Sequence, residues 1–237
     1  MIKQIPNTLT LLNLLAGFAA TICSIKGYTE YAAFCIMAGM LLDFSDGFAA
    51  RLLNAHSPIG KDLDSLADVV TFGIAPGAIL FSMLVTAGMA TLPAFAVAAL
   101  IPAASALRLA IFNNDTTQSS SFRGMATPAS AFTVIAFVLA AAYSDSSIYD
   151  TLTTSPWFLS LLSLTLAVMM LIKTRMFSLK VTGMGWKGNE ERYIFAAVVI
   201  LLLLLLRVDA LPLIMAVYLA ISFISALIRR RTVAPPA

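Results

Sequence analysis

Five aspartates, Asp43, Asp46, Asp62, Asp64 and Asp68, fall within 26 positions of a 237-residue chain that has only 12 acidic residues. At about 100° per residue, Asp43, Asp46, Gly47, Ala50 and Arg51 share one face of a helix. In the next apolar segment Gly60, Asp64 and Asp68 recur every four residues and share a face of their own, while Asp62 points roughly the opposite way. A turn at Ser57-Pro58 folds the two segments antiparallel, so four carboxylates converge. Carboxylates gathered beside apolar sequence repel one another and resist desolvation, and the single Arg51 cannot neutralise them. Hard divalent cations with oxygen ligands can, and two of them balance four aspartates. No His/Cys set lies nearby, which disfavours zinc. Paired metals of this kind serve phosphoryl chemistry, clamping charged oxygens, and the small Gly47, Ala50 and Gly60 leave room for a ligand. A proton or cation pathway in a transporter and a purely structural charge cluster are the other readings of the same residues. A transporter site sits more often at the bilayer midplane with a second, related copy, and no such copy is found here.

The elements that must carry these residues are read from hydropathy. The chain is 60% hydrophobic and 11% charged, against about 45–50% and about 25% in soluble domains, and its mean hydropathy is +0.92. The expected architecture is therefore all-α: one polytopic membrane bundle over residues 1–237, with eight spans near 8–25, 29–54, 60–87, 92–113, 127–144, 156–173, 192–207 and 211–228, each of about the 20 residues a crossing needs. The first apolar run reads as an uncleaved helix that Pro6 and Asn7 introduce, rather than as a leader peptide. With the N-terminus cytoplasmic, 13 of the 15 lysines and arginines fall on the cytoplasmic side and only Lys26 and Arg207 on the other, a positive-inside bias that also places residues 43–68 near the cytoplasmic face. A net charge of +3 gives no nucleic-acid footprint.

Several other features carry less. Cys23 and Cys35 read as small buried hydrophobes, and His56 as a solvated loop residue. Gly183–Gly188 matches GxGxxG but follows no strand, so no dinucleotide site is expected. Gly73 and Gly77 have the spacing that permits close helix packing. Asn7, Thr10 and Asn13 form a polar edge on the first helix.

The run Asp43-xx-Asp46-Gly47-xx-Ala50-Arg51-(eight residues)-Gly60-xxx-Asp64-xxx-Asp68 resembles the signature of the CDP-alcohol phosphotransferase family, with all eight defining positions at the family spacing. The stretches "IPNTLTLLNLLAGF", "SLADVVTFGIAPG", "ALRLAIFN", "FRGMATPASA" and "WKGNEERY" are similar to the phosphatidylserine synthase branch, although Gly124-Met125-Ala126-Thr127-Pro128 stands where that branch often has Gly-Leu-Pro. The resemblance implies a six-helix core over about 5–193 with two further helices over about 192–228. It implies a homodimer in a bacterial inner membrane with the site facing the cytoplasm, and phosphatidyl transfer from CDP-diacylglycerol to L-serine, releasing CMP. Carried over, Asp43, Asp46 and Asp64 hold one Mg²⁺ or Mn²⁺ and Asp43, Asp64 and Asp68 the other, with Asp68 also the general base. Gly47, Ala50, Arg51 and Gly60, joined by Asn7, Thr10 and Asn13, line the donor pocket. Serine brings a carboxylate, so Arg108 and Arg123 are the acceptor candidates. Glycerol-3-phosphate or inositol phosphate as acceptor is the alternative within the family. Lys173, Arg175, Lys180 and Arg229 to Arg231 read as anchors to anionic lipid headgroups.

Overall fold

A computed structural model of the chain describes residues 4–55, 58–114, 122–172, 174–176 and 189–232. In order these form α1 (Ile5–Ile25), α2 (Thr29–Leu52), α3 (Pro58–Asp68), a π-helical segment (Val69–Ile74), α4 (Ala75–Thr86), α5 (Thr91–Ala98), α6 (Leu100–Asn114), β1 (Phe122–Arg123), α7 (Thr127–Tyr143), α8 (Ser147–Thr153), α9 (Pro156–Leu171), β2 (Arg175–Met176), α10 (Glu190–Leu206) and α11 (Ala210–Thr232). The chain is an all-α integral membrane bundle. Its one extended feature among the described residues is the two-residue antiparallel pairing of Phe122 with Met176 and Arg123 with Arg175.

Each apolar segment expected to span is helical, but the lengths differ. Ile5–Ile25, Thr29–Leu52, Ile59–Thr86, Thr91–Asn114 and Glu190–Ile224 are long and apolar enough to cross a bilayer. The last of these is 35 residues long and contains two helices: the chain turns at Arg207, whose φ is 50°, and doubles back so that the rings of Phe195 and Tyr218 meet at 6.0 Å. The segment after Tyr143 departs from expectation. Residues read as an outer loop form α8, capped by Ser146, and α8 meets α9 at a bend of 76°. Ser155 and Pro156 at the start of α9 explain the break, since Pro suits a first turn but cannot continue a helix from α8.

Most helices are apolar all round, as lipid-facing helices are. Side chains such as Leu15, Phe18, Phe44, Trp157 and Leu204 face outward, and the core gathers Ile36, Phe72, Ile79, Leu80, Leu84, Ile101, Ile135 and Leu159, all 0% exposed. Small residues let the backbones close in. A Cβ at Gly73 would stand 3.0 Å from the Ser105 Cβ, and one at Gly77 3.0 Å from the Pro102 Cδ, so this pair seats the third span against α6 as its spacing foretold. The tightest approach is that of the π segment to α1 and α2. A Cβ at Gly17 would lie 2.6 Å from the Thr71 Cα, and one at Gly39 would lie 2.5 Å from the Thr71 Cγ2, while the Thr71 hydroxyl donates to the Asn13 carbonyl at 2.9 Å. Gly17→Ala is therefore expected to destabilise the bundle by about 1–3 kcal/mol or more, because the obstacle is backbone. Thermal unfolding in detergent checks this, and a melting temperature equal to wild type would contradict it.

The two ends of the bundle are distinct. Gly27, Glu30, Thr86, Ala142 and Thr153 share a pocket of about 270 Å³ at one end. The start of α1, the end of α2 and the start of α3 meet at the other.

Candidate active site

The carboxylates arrive by three routes. Asp43 and Asp46 come from the last half of α2, Asp64 from the middle of α3, and Asp68 from its last residue, where the ladder changes to π-helical hydrogen bonding. One π turn amounts to an extra residue in an α-helix, and such turns recur at functional sites. Here the wide turn sets the apolar α4 on its own bearing without disturbing the 60-64-68 face. Asp43, Asp64 and Asp68 each offer a carboxylate oxygen within 4.8 Å of the others. Asp68 is 9% exposed, and its Oδ1 has no hydrogen-bond partner among the described residues. Asp46, 6% exposed, is held from the other side, accepting the Thr10 hydroxyl at 2.6 Å. Asp62 is exposed and stands apart from this group, as its position on the helical wheel required.

Carboxylates gathered this closely beside apolar helices repel one another and resist desolvation, so the cluster calls for a neutralising cation. Three converging carboxylate oxygens fit a hard divalent cation, which takes all-oxygen ligands, and Asp68 keeps a buried oxygen without a partner among the described residues. The donor set thus suits the group that the sequence implied.

Beside the carboxylates lies a cavity of about 630 Å³ lined by Pro6, Asn7, Thr10, Asp46, Gly47, Ala50, Arg51, Ala55, Gly60, Lys61 and Asp64. That volume falls within the range of small-molecule sites. Of the residues expected there, Asn7, Thr10, Gly47, Ala50, Arg51 and Gly60 are present. Asn13 is not among them: it is 0% exposed, wedged one turn deeper between Gly39 and Thr71. Pro6, Ala55 and Lys61 line it without having been expected there, and of these Lys61 is the one with a charge, counted from the sequence only toward sidedness. Its Nζ donates to the Asn113 carbonyl at 3.2 Å, and the Asn113 amide donates to the Ser65 hydroxyl at 2.7 Å, so α3 is clamped to the end of α6. Direct succession to Gly60 was the available signal, because neighbouring residues at a helix start flank the same opening.

The acceptor candidates part company. Arg108 is buried within α6 at 8% exposure, inside the charge range of Asp68 and Tyr218. Arg123 sits in β1 opposite Arg175, and its side chain lies outside the described residues. So do His56, Lys3, Lys173 and the Gly183–Gly188 stretch.

A polytopic helical bundle with carboxylates clustered beside a small-molecule cavity defines a class of membrane-embedded site suited to a hard cation and a polar ligand. Comparison with known proteins narrows it. The family profile for CDP-alcohol phosphatidyltransferases matches residues 3–169. The chain is 38% identical over 128 residues to a CDP-diacylglycerol–serine O-phosphatidyltransferase of Bacillus subtilis, covering 53% of this chain and 70% of that one. It is 34% identical over 166 residues to the like-named protein of Mycobacterium leprae, covering 67% and 53% respectively. An archaetidylserine synthase of Methanothermobacter thermautotrophicus is 33% identical over 146 residues, covering 60% and 61%. The chain thus spans about half the length of the Mycobacterium leprae relative. It belongs to the CDP-alcohol phosphatidyltransferase family.

Proposed function

We propose that this protein transfers the phosphatidyl group of CDP-diacylglycerol to the hydroxyl of L-serine, giving phosphatidylserine and CMP. The observation that carries the reading is the convergence of Asp43, Asp64 and Asp68 at the edge of a cavity walled by Gly47, Arg51 and Gly60. The serine acceptor is supported by the names of the bacterial relatives. Asp43, Asp46, Asp64 and Asp68 would hold two divalent cations, Mg²⁺ or Mn²⁺, which when bound offset the charge of the phosphate oxygens.

The chain's own residues do the rest. Arg51 and Lys61 at the cavity wall pair with the donor's phosphates as charge-assisted donors, and the bare backbone at Gly47 and Gly60 admits the nucleotide. Asp68, whose Oδ1 has no partner among the described residues, takes the proton of the serine hydroxyl. The serine oxygen forms a new ester bond to phosphorus as the phosphoanhydride bond to CMP breaks, and CMP leaves with the electron pair. The same proposal places the site at the cytoplasmic face of a bacterial inner membrane, on the 13-to-2 distribution of basic residues, and has the protein work as a homodimer.

The test supplies purified protein with CDP-diacylglycerol, Mg²⁺ or Mn²⁺ and one alcohol at a time. CMP release with serine is the expected result. Release only with glycerol-3-phosphate or inositol phosphate would move the acceptor, and solute flux across liposomes without CMP release would favour a cation-coupled transporter. Gly47 offers a sharper probe of the cavity. A Cβ there meets nothing within 4 Å among the described residues, so Gly47→Val should fold normally yet raise the donor KM about tenfold or more by filling space the nucleotide needs. A normal donor KM in that variant would remove the nucleotide from this cavity.

A further inference from the structure

A second set of buried polar atoms lies away from the cavity. Arg108 is 8% exposed, Thr127 and Ser130 of α7 are 0% exposed, and Ser222 of α11 is 2% exposed. The Arg108 Nε and the Thr127 and Ser130 hydroxyls lack a hydrogen-bond partner among the described residues, and the Ser222 hydroxyl pairs with that of Tyr218. A buried polar group left unpaired is costly and usually marks a ligand or water. Thr127 and Ser130 are three residues apart, hence on one face of α7, and Tyr218 and Ser222 are four apart on α11. α7 packs against α11, and the Arg108 guanidinium lies within charge range of both Asp68 and Tyr218. Residues 210–232 fall beyond the family-matched stretch, which ends at 169, so nothing in the comparison assigns α11 a role.

We infer that Tyr218 and Ser222 of α11, with Thr127 and Ser130 of α7, wall the acceptor pocket in which Arg108 receives the carboxylate, so that the C-terminal helix selects the acceptor. The inference rests on the amino-alcohol reading above. The carboxylate of the zwitterion pairs with the guanidinium, its ammonium donates to the hydroxyl oxygens, and its own hydroxyl is left toward Asp68. Four neutral hydroxyls suit an ammonium, whereas an acceptor phosphate would call for further cations.

Single-atom changes test this with little risk to folding. Ser222→Ala, Ser130→Ala and Tyr218→Phe are each expected to raise the serine KM about tenfold, the effect of losing one bond to a charged group. The KM for CDP-diacylglycerol should stay within about twofold, a split that a purely structural role would not produce. Equal serine KM values in all three variants, or donor and acceptor KM rising together, overturn the inference. Equilibrium dialysis of labelled serine against wild type and Ser222→Ala reads binding without turnover, and equal affinity likewise overturns it. If wild type releases CMP with a different alcohol and not with serine, the serine reading fails on its own. The same variants measured on that alcohol then decide the role of α11: an unchanged KM defeats it and a raised one sustains it.

Discussion

Asp68→Asn is expected to reduce CMP release about a thousandfold or more while the protein stays folded. A general base contributes about 10²–10⁴ to a proton transfer, and a ligand lost from the carboxylate cluster adds to that. Folding should survive because Asp68 Oδ1 has no hydrogen bond to lose among the described residues, and a neutral amide relieves repulsion from Asp43 and Asp64, which approach within 4.8 Å. The measurement pairs CMP release with thermal unfolding in the same detergent. A folded variant that retains a tenth of wild-type turnover would remove Asp68 from proton transfer.

Asp43→Asn and Asp64→Asn should abolish the stabilisation that divalent cations confer. A ligand at a hundred times its Kd stabilises by about 2.7 kcal/mol, which in a protein of this size raises Tm by on the order of 5 °C or more. Wild type is expected to show that rise with Mn²⁺ or Mg²⁺ plus CDP, and to lose it with a chelator. The variants should show neither the rise nor the chelator's effect. An undiminished rise in both variants would place the cations elsewhere and leave the carboxylate cluster without its function.

Much of this site was legible in the sequence, for a definite reason. Two α-helical faces, one through Asp43 and Asp46 and one through Gly60, Asp64 and Asp68, follow from the 3.6-residue period alone, and hydropathy gives the helices that carry them. The same arithmetic dismissed Asp62. It failed wherever position depends on contacts made at a distance. Val69–Ile74 carries no periodic mark of its π turn, within which Thr71 packs against Gly17 and Gly39. Asn13 shares a polar edge with Asn7 and Thr10, but depth along the helix separates it from the cavity. The bend between α8 and α9 was hidden because its residues look like those of a loop. Tyr218 and Ser222 sit in an apolar run more than a hundred residues from the motif, and only the fold brings α11 near Arg108.

The cavity beside the aspartates holds about 630 Å³, room for a nucleotide head but not for two long acyl tails besides. If CDP-diacylglycerol is the donor, its tails remain dissolved in the bilayer while its head is bound. Turnover should then follow the mole fraction of donor in the membrane or micelle, falling on dilution with inert detergent even at constant bulk concentration. Chain length should matter only through how each donor partitions into that surface.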